Sequence, residues 1–172
     1  MNKIIIFLFT VGLILSSDHT YGQSKIMNKV SSEISNTQLK NKIRKRGKDF
    51  YANIRKQLID RDSLNFISLC DTVFFLETYE YETGISYGLI WNERKSIAYE
   101  YLNNKFCFEN PPVFYKETIE LVNNWDIATI RKYETEKSNL INPFIIFASR
   151  AIIKKGEVIR VDCIEFEEFY LR

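Results

Sequence analysis

Apolar and polar positions alternate three times in succession between Asp71 and Glu109. From Val73 the odd positions read Val73, Phe75, Glu77, Tyr79 and Tyr81, then Ile85, Tyr87, Leu89 and Trp91, then Ile97, Tyr99 and Tyr101. A period of two residues is what a strand with one buried face imposes, so the pattern predicts an antiparallel meander over 71–109. Directly paired residues point to the same side of a sheet. On that rule a three-residue loop, Glu82-Thr83-Gly84, sets Phe75 opposite Trp91 and Tyr79 opposite Tyr87, with Gly84 supplying the positive φ on which such loops end. Pairing Trp91 with Lys95 then carries a tyrosine row, Tyr79, Tyr87 and Tyr99, across the sheet. Asn103-Asn104 reads as the third turn, before Phe106 and Phe108. The other face, with Phe74, Leu76, Thr78, Glu80, Ser86, Gly88 and Ala98, is smaller and more polar. A helix is therefore expected over the aromatic side, with water over part of the other.

On either side of the meander the period changes. Leu39, Ile43, Phe50, Ile54 and Leu58 fall on one stripe and predict an amphipathic helix from about Thr37 to Ile59. Residues 23–36 are polar and short of large apolar side chains, and read as a flexible lead segment; Ile26, Val30 and Ile34 allow a loose helix as the alternative. Asn110-Pro111-Pro112 ends regular structure. Lys116 to Lys137 then reads as a helical insertion, broken at Asn123-Asn124-Trp125-Asp126, with Asp126 capping a second piece. The β-branched Ile145, Ile146, Ile152 and Ile153, and the turn residues Lys154-Lys155-Gly156-Glu157, predict a C-terminal hairpin over 144–169. Apolar parity shifts from Ile159, Val161 and Cys163 to Ile164 and Phe166, so a bulge is expected near Cys163. The expected fold class is α+β: an antiparallel sheet of about five or six strands, packed with the N-terminal helix and the helical insertion, in a single domain over 37–172.

Composition adds a compartment. Residues 1–22 have the layout of a signal peptide: Lys3, an apolar run from Ile4 to Leu15 too short for a comfortable span, and small residues ahead of a cut before Gln23. The mature chain is then expected in the periplasm of a Gram-negative bacterium or outside the cell, with no membrane association after cleavage. With 45% hydrophobic residues, 15% aromatic residues and a formal charge of +2, the chain has material for a core and no overall field toward nucleic acid or an anionic membrane. Cys70, Cys107 and Cys163 are an odd number for an oxidising compartment, and each is read first as a small buried apolar side chain.

Chemistry is restricted by what departs with the leader. His19 is the only histidine and precedes the expected cut. A mature chain without it has no Ser-His-Asp or Cys-His nucleophile and no histidine-ligated metal. No Walker loop, dinucleotide fingerprint or EF-hand pattern is present, so neither metal nor cofactor is expected. Carboxylates remain. Glu77 and Glu165 are the candidate acids of a small glycan-acting hydrolase. The simpler reading of Glu77 is a strand carboxylate paired with a lysine or arginine of the covering helix.

The preferred expectation is non-enzymatic binding of a protein or carbohydrate, with the carboxylate-dependent hydrolase as the alternative. Candidate contact residues are the aromatic Tyr79, Tyr81, Tyr99 and Tyr101, near strand ends, and the basic Lys42, Arg44, Lys45 and Arg46. Nucleic acid is not expected as a partner, because no aromatic interleaving accompanies the basic run. The pattern leaves the oligomeric state open.

Overall fold

A computed structural model describes residues 22–38, 45–61, 63–80, 83–108, 114, 116–130 and 144–168. Six strands form one antiparallel sheet: β1 Asp71–Glu80, β2 Ile85–Trp91, β3 Ser96–Leu102, β4 Lys105–Cys107, β5 Phe144–Lys154 and β6 Glu157–Glu168. Their spatial order is β4-β3-β2-β1-β5-β6. The meander thus runs outward from β1, and the C-terminal hairpin closes on β1's other side. The helices are α1 (22–38), α2 Lys45–Asp60, α3 Lys116–Asn124 and a short α4 (127–130). The α+β architecture matches the expected fold class.

The register differs from the one the alternation suggests. Glu80 pairs with Ile85 and Trp91 with Ser96, so both connections hold four residues rather than three. Gly84 does take a positive φ of 73°, and its N–H bonds the Glu80 carbonyl at 2.9 Å, but it closes the longer loop. Asn92 organises the second turn: its Oδ1 accepts from the N–H groups of Arg94 and Lys95, each at 2.9 Å. Every four-residue loop reverses parity between the strands it joins. Phe75 therefore faces the same way as Ile90 and Ile97, and Tyr79 pairs with Ser86, so the row Tyr79, Tyr87, Tyr99 does not exist. The two short turns are as expected. Asn103-Asn104 and Lys155-Gly156 carry positive φ at both positions, which two-residue hairpins of this twist require.

Both sheet faces are covered. On one, Val73, Phe75, Ile90, Tyr99, Tyr101 and Phe147 pack beneath α1 and α2. On the other, Phe74, Leu76, Trp91, Ile146, Ile164 and Phe166 pack with Val122, Trp125 and Ile130 of the α3–α4 region. Water was expected on part of this second side, but the indole of Trp125 and the α3 stripe occupy it. The parity shift around Cys163 follows from the same arrangement: Cys163 serves the first face and Ile164 the second, with no bulge between them. The register irregularity lies at Ile152/Ile153 and turns Ile159 outward, 57% exposed.

Two helical expectations also change. Residues 23–36, expected as a flexible lead, belong to α1, and Val30 and Ile34 on it are fully buried. The helix is the alternative that Ile26, Val30 and Ile34 allow, and its buried stripe is completed by Met27 and by the inward-facing Ser31 and Ser35. The helix expected over 37–59 is represented by α2 from Lys45, with 39–44 outside the described residues. The break after α3 is as expected. Trp125 takes φ 51°, its N–H bonds the Val122 carbonyl and the Asp126 N–H bonds the Leu121 carbonyl, a Schellman closure with a bulky residue where glycine is usual. Asp126 then caps α4, accepting from the Thr129 N–H at 3.1 Å and hydroxyl at 2.6 Å.

Gly88 lies in mid-strand opposite Tyr99, and a β-carbon there would fall inside the Tyr99 ring. Gly88→Ala is expected to destabilise by about 1–3 kcal/mol through overpacking. In a Tyr99→Leu background the same change should cost much less, a non-additivity readable from denaturant midpoints.

Candidate functional site

The candidate acids fall on one cross-strand row of the sheet: Tyr99, Gly88, Glu77, Phe147 and Glu165. Glu77 and Glu165 stand two strands apart, on the order of 10 Å, with Phe147 between them. Glu77 is completely buried. Its Oε2 accepts from Arg55 Nη1 at 2.5 Å, and Arg55 is itself only 1% exposed.

Arg55 reaches Glu77 because α2 places it on the buried stripe with Tyr51, Ile54 and Leu58, at helical spacings of three and four residues. The rest of its guanidinium is held by α1: Nε donates to Ser31 Oγ and Nη2 to Ser35 Oγ, both at 3.1 Å. Ser31 and Ser35 sit one turn apart, and the Ser35 hydroxyl also donates to the Ser31 carbonyl at 3.0 Å. One side chain therefore ties α1, α2 and β1 together inside the apolar core. The covering-helix reading of Glu77 describes this geometry.

Burial pushes the Glu77 carboxyl up from its ordinary value more strongly than the neighbouring Arg55 charge and its hydrogen bond pull it down. Burial, then the Glu77 charge, hold the Tyr99 phenol well above its usual value. Glu77 Oε1 and Tyr99 Oη have no hydrogen-bond partner among the described residues. The centre is thus compact, closed and incompletely satisfied, which suits a structural latch better than a group that must meet substrate.

Of the aromatic candidates, Tyr99 and Tyr101 are buried and Tyr79 is half-buried. Tyr99 is fully buried, and Tyr101 is 5% exposed, its hydroxyl accepting from Gln57 Nε2 at 2.8 Å and donating to Asn104 Oδ1 at 2.9 Å. Tyr79 is half-buried with its ring 5.2 Å from that of Phe50. The expected partial exposure fails for Tyr99 and Tyr101 because they keep the face of Phe75, the two parity reversals cancelling at β3, and pack in the core beneath the helices. Tyr81, Lys42 and Arg44 lie outside the described residues, and Lys45 and Arg46 open α2 with only their backbone described. Glu165 is half-buried on the α1/α2 side. Among the described residues no group of three or more His, Cys, Asp or Glu could hold a metal ion.

Sequence reasoning missed Arg55, Ser31, Ser35 and Gly88. Two signals were present: an arginine at a core position of the helical stripe, and a glycine interrupting an aromatic-rich strand.

Among the described residues none of the three cysteines forms a disulfide. Cys107 aligns through Glu100 and Tyr87 with Thr78, which is eight positions along the chain from Cys70. That places the two exposed thiols about 26 Å apart along the strand direction alone, far beyond disulfide reach. Cys163 is inward-facing rather than exposed, and burial raises its thiol to about 11. The expectation of small buried side chains thus fits Cys163 and fails for Cys70 and Cys107, which lie at an element boundary and on a short edge strand. Comparison with family models, curated proteins and solved structures returns no match, so function is argued from geometry.

Two measurements probe the site. Replacing Arg55 by Met should cost about 3–5 kcal/mol, since it strands a buried carboxylate, whereas Arg55→Met with Glu77→Leu should cost clearly less. The pH sign follows from Glu77. A carboxyl raised in the folded state contributes stability below its ordinary value and loses it as pH rises through the raised one. Arg55→Met removes the opposing charge, so its destabilisation should be larger at pH 8 than at pH 5 in urea titrations. Separately, a thiol reagent at pH 8 should modify Cys70 and Cys107 quickly and Cys163 only on unfolding.

Proposed function

We propose that the chain is an exported, non-enzymatic binding protein of the periplasm or extracellular space, acting on a protein or carbohydrate partner. The observation that carries this reading is the state of Glu77. The acid best placed by sequence for hydrolysis is sealed beneath two helices and neutralised by Arg55, two strands from Glu165 across a phenylalanine. A pair of glycosidic carboxyls must open into a common cleft with room for sugar and water.

What the chain offers to solvent supports binding instead. Leu69, Phe108 and Ile159 are exposed large apolar side chains, and the sheet ends in two edge strands, β4 and β6. Export is supported by the arrangement of Lys3, the run from Ile4 to Leu15 and the small residues before Gln23. Among the described residues no helix is long and apolar enough to cross a membrane.

Affinity capture from the native envelope fraction, with the recovered bait analysed by mass spectrometry, is expected to return a stoichiometric protein or glycan and an amino terminus at Gln23. Glycan cleavage by the purified protein that disappears in Glu77→Gln while the fold survives would reverse the reading.

A further inference from the structure

We infer that the end of the sheet bearing the β2–β3 and β5–β6 turns docks against an anionic phospholipid surface. The fold gathers exposed cations there from three separate segments: Lys25 of α1, Arg94 and Lys95 of the β2–β3 turn, and Lys154, Lys155 and Arg160 of the terminal hairpin. The joining contacts are explicit. Gly156 N–H bonds the Leu69 carbonyl at 2.8 Å, and a β-carbon on Gly156 would lie 3.9 Å from Ile26 Cδ1 in the first turns of α1. Asn92 Nδ2 donates to Asp71 Oδ2 at 2.7 Å, which holds the β2–β3 turn beside the start of β1.

Among the described residues the exposed acids at this end are Glu93 and Glu157; the half-buried Asp162 pairs with Arg160 at 2.9 Å, and the half-buried Asp71 accepts from Asn92. Lys25, Arg94, Lys154 and Lys155 have no ion-pair partner among the described residues. Two of the three exposed large apolar side chains are at the same end, Leu69 at 45% and Ile159 at 57%. The register irregularity that turns Ile159 outward removes it from a core in which it would otherwise take part.

Cations carried on turn tips and interspersed with apolar side chains suit a planar interface, where headgroups meet the charges and acyl chains meet the leucine and isoleucine. The described part of α1 starts at this end, so a cut before Gln23 would add an α-amino charge to it.

Cys70 and Cys107 are built-in reporters, both exposed and at opposite ends of the strand direction. The full chain is mixed with phosphatidylglycerol/phosphatidylcholine vesicles, or with phosphatidylcholine alone, and treated with a membrane-impermeant maleimide. The anionic vesicles are expected to slow Cys70 modification severalfold and leave Cys107 unchanged. Neutral vesicles should affect neither. Lys154→Glu with Lys155→Glu should restore the Cys70 rate, and Ile159→Asp should weaken its protection; all three positions are exposed, so the fold is retained. Equal slowing of both thiols, no slowing, or slowing on neutral vesicles as well would overturn the inference. Slowing that depends on protein concentration without vesicles would overturn it too, in favour of self-association. The measurement uses lipid alone, so its failure is distinct from a failure of partner capture.

Discussion

The Arg55–Glu77 ion pair constrains everything around it. A charge on β1 in the centre of a six-stranded sheet must be compensated from the covering layer, because an isolated ionised carboxylate costs far too much in an apolar interior. Only one helix position can deliver the guanidinium, and the remaining guanidinium protons require acceptors that α1 supplies as Ser31 and Ser35. The rotation of α2 and the placement of α1 are therefore set by polar geometry as much as by apolar area. Such a pair contributes little net stability against a well-packed apolar substitute, but it penalises every arrangement in which the helices are shifted.

The sheet face beneath the helices accommodates this pair through a second device. Gly88 leaves a gap beside Glu77 that the Tyr99 ring fills, so an aromatic from β3 packs flat across β2. Tyr99 then contributes to the low-dielectric surroundings that raise the Glu77 carboxyl, and Glu77 in turn raises the Tyr99 phenol. The opposite face carries the half-buried Arg150–Asp162 pair, 2.7 Å apart. It closes by aromatic stacking of Phe74 on Trp91, with the Arg150 guanidinium over Trp125 at its rim.

These arrangements separate what is sealed from what is offered. Glu77, Tyr99 and Tyr101 are spent on packing, while among the described residues exposed cations and outward apolar side chains collect at the turn end.

The strands, the Asn103-Asn104 and Lys155-Gly156 turns, the Asp126 cap and the C-terminal hairpin were legible in the sequence, because period-two alternation and turn chemistry are local properties of the chain. So was the probability that Glu77 would be paired, since burial and charge conflict wherever a carboxylate interrupts an aromatic strand. Register was not legible. One added residue in each of two loops moved β2 alone to the opposite parity, and with apolar layers on both sides neither face announced itself as the solvent side. The identity of the partner, Arg55, the inward turn of Ser31 and Ser35, and the burial of Tyr99 and Tyr101 were decided only when non-local segments packed, because charge compensation and steric fit depend on distances that sequence separation does not encode.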